Sequence, residues 1–233
     1  MALQPNNRSL TARPIVYLVT DRNRISRAAG SDGRAEPVEF VRQAARASVD
    51  LIQVRERDLP AGDLYELVHR CLLATRHSST RLIVNDRLDV AVAAGAAGVH
   101  LRSDSPDGLR VRQVVPAGFL IGRSVHGSDE ALAAAREGEV DYFIAGTIFP
   151  TVAKSATHTC LGLEGLRAVV ERVDVPVLAI GGVTMPTIAA IAASGAAGVA
   201  AIGLFATIGP DADELARLVQ QARSEFDTSG RVS

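Results

Sequence analysis

The sequence predicts a single (βα)8 barrel of the α/β class, and three observations carry that prediction. Eight short apolar runs rich in β-branched residues recur along the chain, each ending in a polar or glycine tip. Alanine- and leucine-rich segments with helical spacing separate them, so each strand is followed by a helix. At 233 residues and 47% hydrophobic, the chain has the length and apolar content for one large core of that kind. Eight near-uniform units favour closure into a TIM barrel over an open, doubly wound sheet.

The first run, residues 14–21, ends at Asp21 and leads into residues 22–36, whose Arg, Ser, Gly and Asp content predicts a long loop. The second, 51–56, continues into Arg57, and its alternation places Gln53, Arg55 and Arg57 on one strand face. The third, 82–86, ends in Asn85 and Asp86, and the fourth, Gly98–Leu101, carries His100. The fifth, Leu120–Val125, ends at Ser124 and His126; the helix after it, 130–136, has Ser128 as its cap and Asp129 and Glu130 in its first turn. The sixth, 142–148, opens a second long loop, 149–162, through Lys154, Ser155 and His158. A long loop after a strand hangs over the strand ends as lids do. The seventh, 175–182, ends in Gly181 and Gly182, with Pro186 opening the next helix, and the eighth, 199–205, contains Gly203. Residues 93–101 resemble 193–202, both helix–glycine–strand turns with Gly95 and Gly195 closing a helix, as a barrel of like units produces. Residues 1–13 read as a leader, 14–225 as the barrel domain and 226–233 as a polar tail.

A formal charge of −1 argues against a nucleic-acid partner held by a general basic field, while local arginine clusters suit small anions such as phosphate. Two cysteines, Cys71 and Cys160, are too few for a disulfide framework and fit a reducing compartment. Residues 1–13 hold no apolar signal-like core and no later stretch has membrane-spanning length, so the expectation is a cytoplasmic protein with no membrane partner.

Barrels keep their chemistry at the C-terminal ends of their strands, so the strand tips are the residues to weigh. Gly181, Gly182 and Gly203 stand after the seventh strand and on the eighth, where backbone N–H groups commonly hold phosphate; the plainer reading is tight turns. Arg55 and Arg57 are too costly to bury unpaired and need an anion or a carboxylate, Asp86 and Asp21 being the internal candidates. Asp86 near a phosphate suits Mg²⁺ and equally suits a helix cap. His126 is matched to proton transfer near neutral pH and equally suits a structural strand end. His100, among apolar neighbours, reads as a core histidine, and His69, His77 and His158 are not read as catalytic.

In order along the chain, "YLVTD", "IQVRERD", "LIVNDRLDVAVAAGAAGVHL", "IGRSVH", "GTIFPT" with Lys154 and "LGLEGL" after it, and "VPVLAIGGV" resemble the thiamine phosphate synthase and TenI family over about residues 15 to 206. The resemblance implies an enzyme of thiamine biosynthesis acting on a thiazole phosphate. Gln53, Arg55, Asn85, Asp86 and Lys154 match the synthase pattern. That reaction implies Mg²⁺ on two aspartates, yet the second falls at Ser105, with Asp104 adjacent and turned elsewhere. Arg57 stands for the family's lysine and Gly203 for its serine, and residues 123–126 read like TenI. The expectation is therefore a TenI-type tautomerase without a cofactor: His126 shuttles the proton and Lys154 closes from the loop. Gln53, Arg55, Arg57, Asn85 and Ser124 line the substrate, and Gly181, Gly182 and Gly203 hold its phosphate. The alternatives are the synthase, with Mg²⁺ on Asp86, and a regulator that binds thiazole or thiamine phosphate without turnover. A homodimer is common for such barrels.

Overall fold

The computed structural model describes residues 10, 14–28, 37–151 and 159–229. Eight parallel strands close into one barrel in strictly sequential order, with β8 returning to β1. The strands are β1 (Ile15–Val19), β2 (Leu51–Val54), β3 (Arg81–Asn85), β4 (Gly98–Leu101), β5 (Leu120–Val125), β6 (Tyr142–Gly146), β7 (Val177–Ile180) and β8 (Gly198–Ala201). The helices are α1 (Arg22–Ala28), α2 (Pro37–Arg46), α3 (Ala61–Thr75), α4 (Leu88–Ala94), α5 (Gly108–Arg112), α6 (Ser128–Glu137), α7 (Gly162–Val170), α8 (Met185–Ala192), α9 (Gly203–Ala206) and α10 (Ala212–Ser229).

Alternation along each strand divides its side chains between two apolar layers, which is why the strands read as nearly unbroken hydrophobic runs. The inward row, with Ile15, Tyr17, Leu51, Ile83, Leu120, Tyr142, Ile144 and Leu178, fills the barrel, and Leu10 packs against it. The outward row, with Leu18, Ile52, Val84, Val99, Ile121 and Phe143, meets Phe40, Val68, Leu166, Ile188 and Leu215 of the helices. Each such buried side chain stabilises the fold by about 1.5–3 kcal/mol. Gly122 makes room for Tyr142, since a Cβ there would lie 2.1 Å from the tyrosine Cζ. At the strands' N-terminal ends two aspartates hold the neighbouring strand. Asp50 accepts from Val16 N and Arg223, and Asp141 from Ile121 N and Arg112.

Several sequence expectations need correction. Residues 22–28 of the stretch read as loop form α1, which starts where Asp21 Oδ1 accepts from Arg24 N at 3.2 Å. The eighth strand stops at Ala201, so Gly203 begins α9 instead of lying in the sheet. Gly127, not Ser128, precedes the first residue of α6, although Asp129 and Glu130 do fall in its first turn. Helix α10 continues to Ser229, past the expected boundary at 225. Gly95 ends α4 in the left-handed conformation, and Pro186 lies at the start of α8, both as read from the sequence. Lys154, Ser155 and His158 lie outside the described residues. Among the described residues no helix is long and apolar enough to cross a membrane.

Candidate active site

Inward-pointing polar groups replace the apolar row near the C-terminal mouth and form a connected floor. Tyr17 donates from its hydroxyl to Gln53 Oε1 at 3.2 Å, and Gln53 Nε2 donates to Asn85 Oδ1 at 2.8 Å. The Tyr17 and Tyr142 hydroxyls lie 3.1 Å apart, and burial raises the pKa of both phenols. His100 stacks on Tyr142 at a ring separation of 5.7 Å, and its Nε2 is 2.9 Å from Ser124 Oγ. Gln53, Asn85, His100 and Ser124 thus stand together: Gln53, Asn85 and Ser124 are the residues the sequence proposed for substrate, and His100, buried, is the one it proposed for the core.

Beside Asn85 of this floor, a cavity of about 150 Å³ lies between the tips of β2 and β3 and the start of α3, lined by Val54, Glu56, Arg57, Leu59, Leu64, Asn85, Asp86, Arg87 and Arg102. Asp86, at the tip of β3, holds a positive φ of 60°. Its Oδ1 accepts a short hydrogen bond from Ser105 Oγ, and its Oδ2 lies 3.8 Å from Arg102. Ser105 Oγ in turn accepts from Arg102 N at 3.0 Å. Asp104 turns away into solvent and pairs with Arg102. The segment carrying Ser105 is clamped from outside the barrel by Arg123, which donates to the carbonyls of Ser103, Pro106 and Ser105 at 2.8, 3.1 and 3.4 Å. A larger hollow, about 960 Å³, lies between α2 and α3 around Arg42, Arg46, Arg70 and Arg76, at the strands' N-terminal ends and away from every tip residue.

The internal ion pairs expected for Arg55 and Arg57 do not form. Asp21 pairs with Arg24 and Asp86 with Arg102, and among the described residues neither Arg55 nor Arg57 has an ion-pair partner. β2 ends at Val54, so Arg57 leaves the strand face and is exposed in a turn, whereas Arg55 is half-buried just past the strand and its charge reaches the inward-facing His100. Burial first, and then the charge of Arg57, lower the pKa of Arg55, while the charges of Asp21 and Glu56 act against the shift. Between them Glu56 is buried. It accepts from Thr20 Oγ1 at 2.7 Å and lies 3.3 Å from Arg22, and burial raises its carboxyl pKa. Arg57 on the cavity and Arg55 close by, neither with an ion-pair partner among the described residues, suit a multiply charged anion.

On the opposite rim Gly181 and Gly182 have φ of +97° and +65°. A Cβ at Gly181 would come 2.4 Å from Thr147 Cγ2, and one at Gly182 would lie 2.8 Å from Pro150 O, so both positions need glycine. The chain after β6 runs against them, with Phe149 N donating to Gly181 O at 3.0 Å. Leu161 N to Thr147 O and Gly162 N to Ile148 O tie the two stems of the 149–162 loop together. Gly203 is sterically open, the nearest atom to a built Cβ being Arg24 Nη1 at 3.8 Å. His126 sits half-exposed beyond β5, its Nδ1 3.3 Å from Glu130 and its backbone N donating to the same carboxylate.

Sequence reasoning missed Glu56, Arg102 and Arg123. For Glu56 and Arg123 a signal was present: a charged residue at the end of an otherwise buried strand must find partners within the fold.

The residues present fit Mg²⁺ in one way. Asp86 is a single carboxylate beside a neutral hydroxyl, and among the described residues no three His, Cys, Asp or Glu gather as a metal-holding group. Mg²⁺ is often held by one or two carboxylates together with substrate phosphates, so the set suits an ion shared with a phosphorylated ligand.

A family model described as thiamine monophosphate synthase matches residues 16–205. A putative thiamine-phosphate synthase of Geobacter sulfurreducens is 39% identical over 204 residues, covering 87% of this chain and 91% of that one. A thiamine-phosphate synthase of Methanoculleus marisnigri is also 39% identical, over 93% of this chain and 98% of its own. Among solved structures, the thiamine phosphate pyrophosphorylase of Pyrococcus furiosus superposes with a TM-score of 0.78 at 32% identity, covering 94% of this chain and 99% of that one. By that match along the barrel, and by relatives so similar over nearly their whole length, the chain belongs to the thiamine monophosphate synthase and TenI family.

Proposed function

We infer that the protein is a thiamine phosphate synthase, a transferase that joins hydroxymethylpyrimidine diphosphate to thiazole phosphate and releases diphosphate. The observation that carries this reading is the name shared by relatives 38–39% identical to it. Arg57 on the Asp86 cavity and the half-buried Arg55, neither with an ion-pair partner among the described residues, support it. The expected tautomerase is not supported by those relatives.

In the reaction the bond from the pyrimidine methylene carbon to the diphosphate oxygen breaks, and its electron pair leaves on the diphosphate. The thiazole nitrogen then gives its lone pair to the methylene cation, forming the new C–N bond. Arg55 and Arg57 bind the diphosphate and stabilise the charge that grows on it as the bond breaks. Asp86 would hold Mg²⁺, which when bound neutralises further diphosphate charge. Gln53 and Asn85, each fixed by its neighbour in the floor, orient the pyrimidine. Gly181 and Gly182 offer backbone N–H groups to the thiazole phosphate, with Gly203 opening the adjoining turn. Lys154 adds charge from the loop.

The test is a product assay by NMR with both substrates, first with Mg²⁺ and then with EDTA. Thiamine phosphate formed with Mg²⁺ is the expected result. No product in either tube despite measurable thiazole phosphate binding overturns the reading. It would then favour proton transfer at His126, for which the neutral Ser105 beside Asp86 is the one favouring observation.

A further inference from the structure

His100 Nδ1 is buried and has no hydrogen-bond partner among the described residues, while Nε2 lies 2.9 Å from Ser124 Oγ. A neutral imidazole carries one proton, so one of its nitrogens is a donor and the other an acceptor. Either the orphaned Nδ1 bears an N–H or it bears only a lone pair. Buried N–H groups without an acceptor are rarer and costlier than under-used acceptors. The cheaper arrangement leaves the lone pair at Nδ1 and the proton on Nε2. The stack on Tyr142 and the edge contact with Tyr17 at 6.5 Å hold the ring plane, and a half-turn within that plane would carry Nε2 away from Ser124 Oγ and lose the hydrogen bond. A second proton is opposed by burial and by the charge of Arg55.

This fixes the role of the neighbouring hydroxyl. Ser124 is half-buried at the end of β5, on the inward row that begins with Leu120 and Gly122. Its oxygen accepts from His100, so its own proton is free to point elsewhere. We propose that His100 is a positioning residue: its Nε2–H donates to Ser124 Oγ and leaves the Ser124 hydroxyl proton directed at an anionic phosphate oxygen of the substrate. The opposite tautomer would draw that proton inward and present a lone pair to the anion, which repels it. The identity of the anion rests on the synthase reading; the tautomer does not.

The experiment combines ¹⁵N-histidine NMR of the full chain with calorimetric titration of inorganic diphosphate. The Ser124→Ala variant assigns the His100 signals by their shift. The expected spectrum has a bare imine Nδ1 and a protonated Nε2. His100→Phe keeps an aromatic ring but removes the donor, and diphosphate affinity should fall by roughly tenfold, the worth of one hydrogen bond. His100→Gln restores a donor and should recover part of the loss. The double variant His100→Phe/Ser124→Ala should bind no more weakly than Ser124→Ala alone, because both remove the same contact. A protonated Nδ1, undiminished affinity in His100→Phe, or additive losses overturns the proposal. If the wild type binds no diphosphate, the synthase reading fails and the spectrum alone decides the tautomer. Should His100→Phe not fold, the wild-type spectrum still distinguishes a protonated Nε2 from a protonated Nδ1.

Discussion

The hydroxyl of Ser105 meets two partners at once, accepting from Arg102 N at 3.0 Å and donating to Asp86. A carboxylate in its place would give Asp86 a like-charged neighbour, tolerable only beside a cation. Ser105→Asp should therefore tighten Mg²⁺ binding in the presence of diphosphate by on the order of tenfold, as an added oxygen ligand does. Mg²⁺ should also raise the variant's thermal midpoint more than the wild type's, because an ion that binds only the folded state stabilises it. Calorimetric titration and a melting series read both effects. Equal Mg²⁺ affinity in the two proteins would show that the ion does not sit within reach of position 105. The residues Asp86, Asn85 and Gln53 were legible in the sequence because strand ends in a barrel point at the site. Arg102 was not, because its part depends on how the chain folds back after β4.

At the scale of elements, one side chain ties the β4–α5 connection to the outside of the barrel. Arg123, on the outward row of β5 and 8% exposed, satisfies three carbonyls of that loop. Arg123→Met keeps an apolar stem and removes the donors, at a cost of about 1.5–3 kcal/mol if the loop stays in place. Loosening the loop is the cheaper response, so the Ser105 and Arg110 amides, now bonded to Arg102 O and Asp107, should lose exchange protection. The amides of β4 and β5 themselves should keep theirs. Hydrogen exchange followed residue by residue checks this, and uniform loss across the barrel would show that Arg123 serves the core instead. Strands and their order were readable from apolar runs because the barrel buries both faces of each strand. Helix α1 escaped because "RNRISRA" is mostly polar and charged, with Ile25 its buried residue among those whose side chains are described. Its signal was Asp21, a good N-cap residue three positions before Arg24. Gly203 was read into β8 because periodicity cannot separate a strand's last residues from the first turn of a short helix.

For the molecule as a whole, the polar floor inside the barrel ties stability to pH. Burial first, and then the charge of Arg55, lowers the His100 pKa from 6.5 to about 3. Between those values the unfolded chain binds a proton that the folded chain does not, so this group's contribution is complete above about 6.5 and is lost as pH falls towards 3. Each unit across that interval removes about 1.4 kcal/mol, a large part of the margin of a domain this size. Glu56 acts in the opposite sense: burial raises its carboxyl, so it favours folding in acid and loses that contribution as pH rises through its folded value. The two are separated by difference. Urea unfolding at a series of pH values should show a steeper acid decline in the wild type than in His100→Phe, with the slopes differing by one proton over the interval. Parallel slopes would mean that His100 accepts a proton inside the folded barrel. The stacked ring, the tyrosine pair and the Gln53–Asn85 bond would then have to accommodate a charge at the centre of the floor.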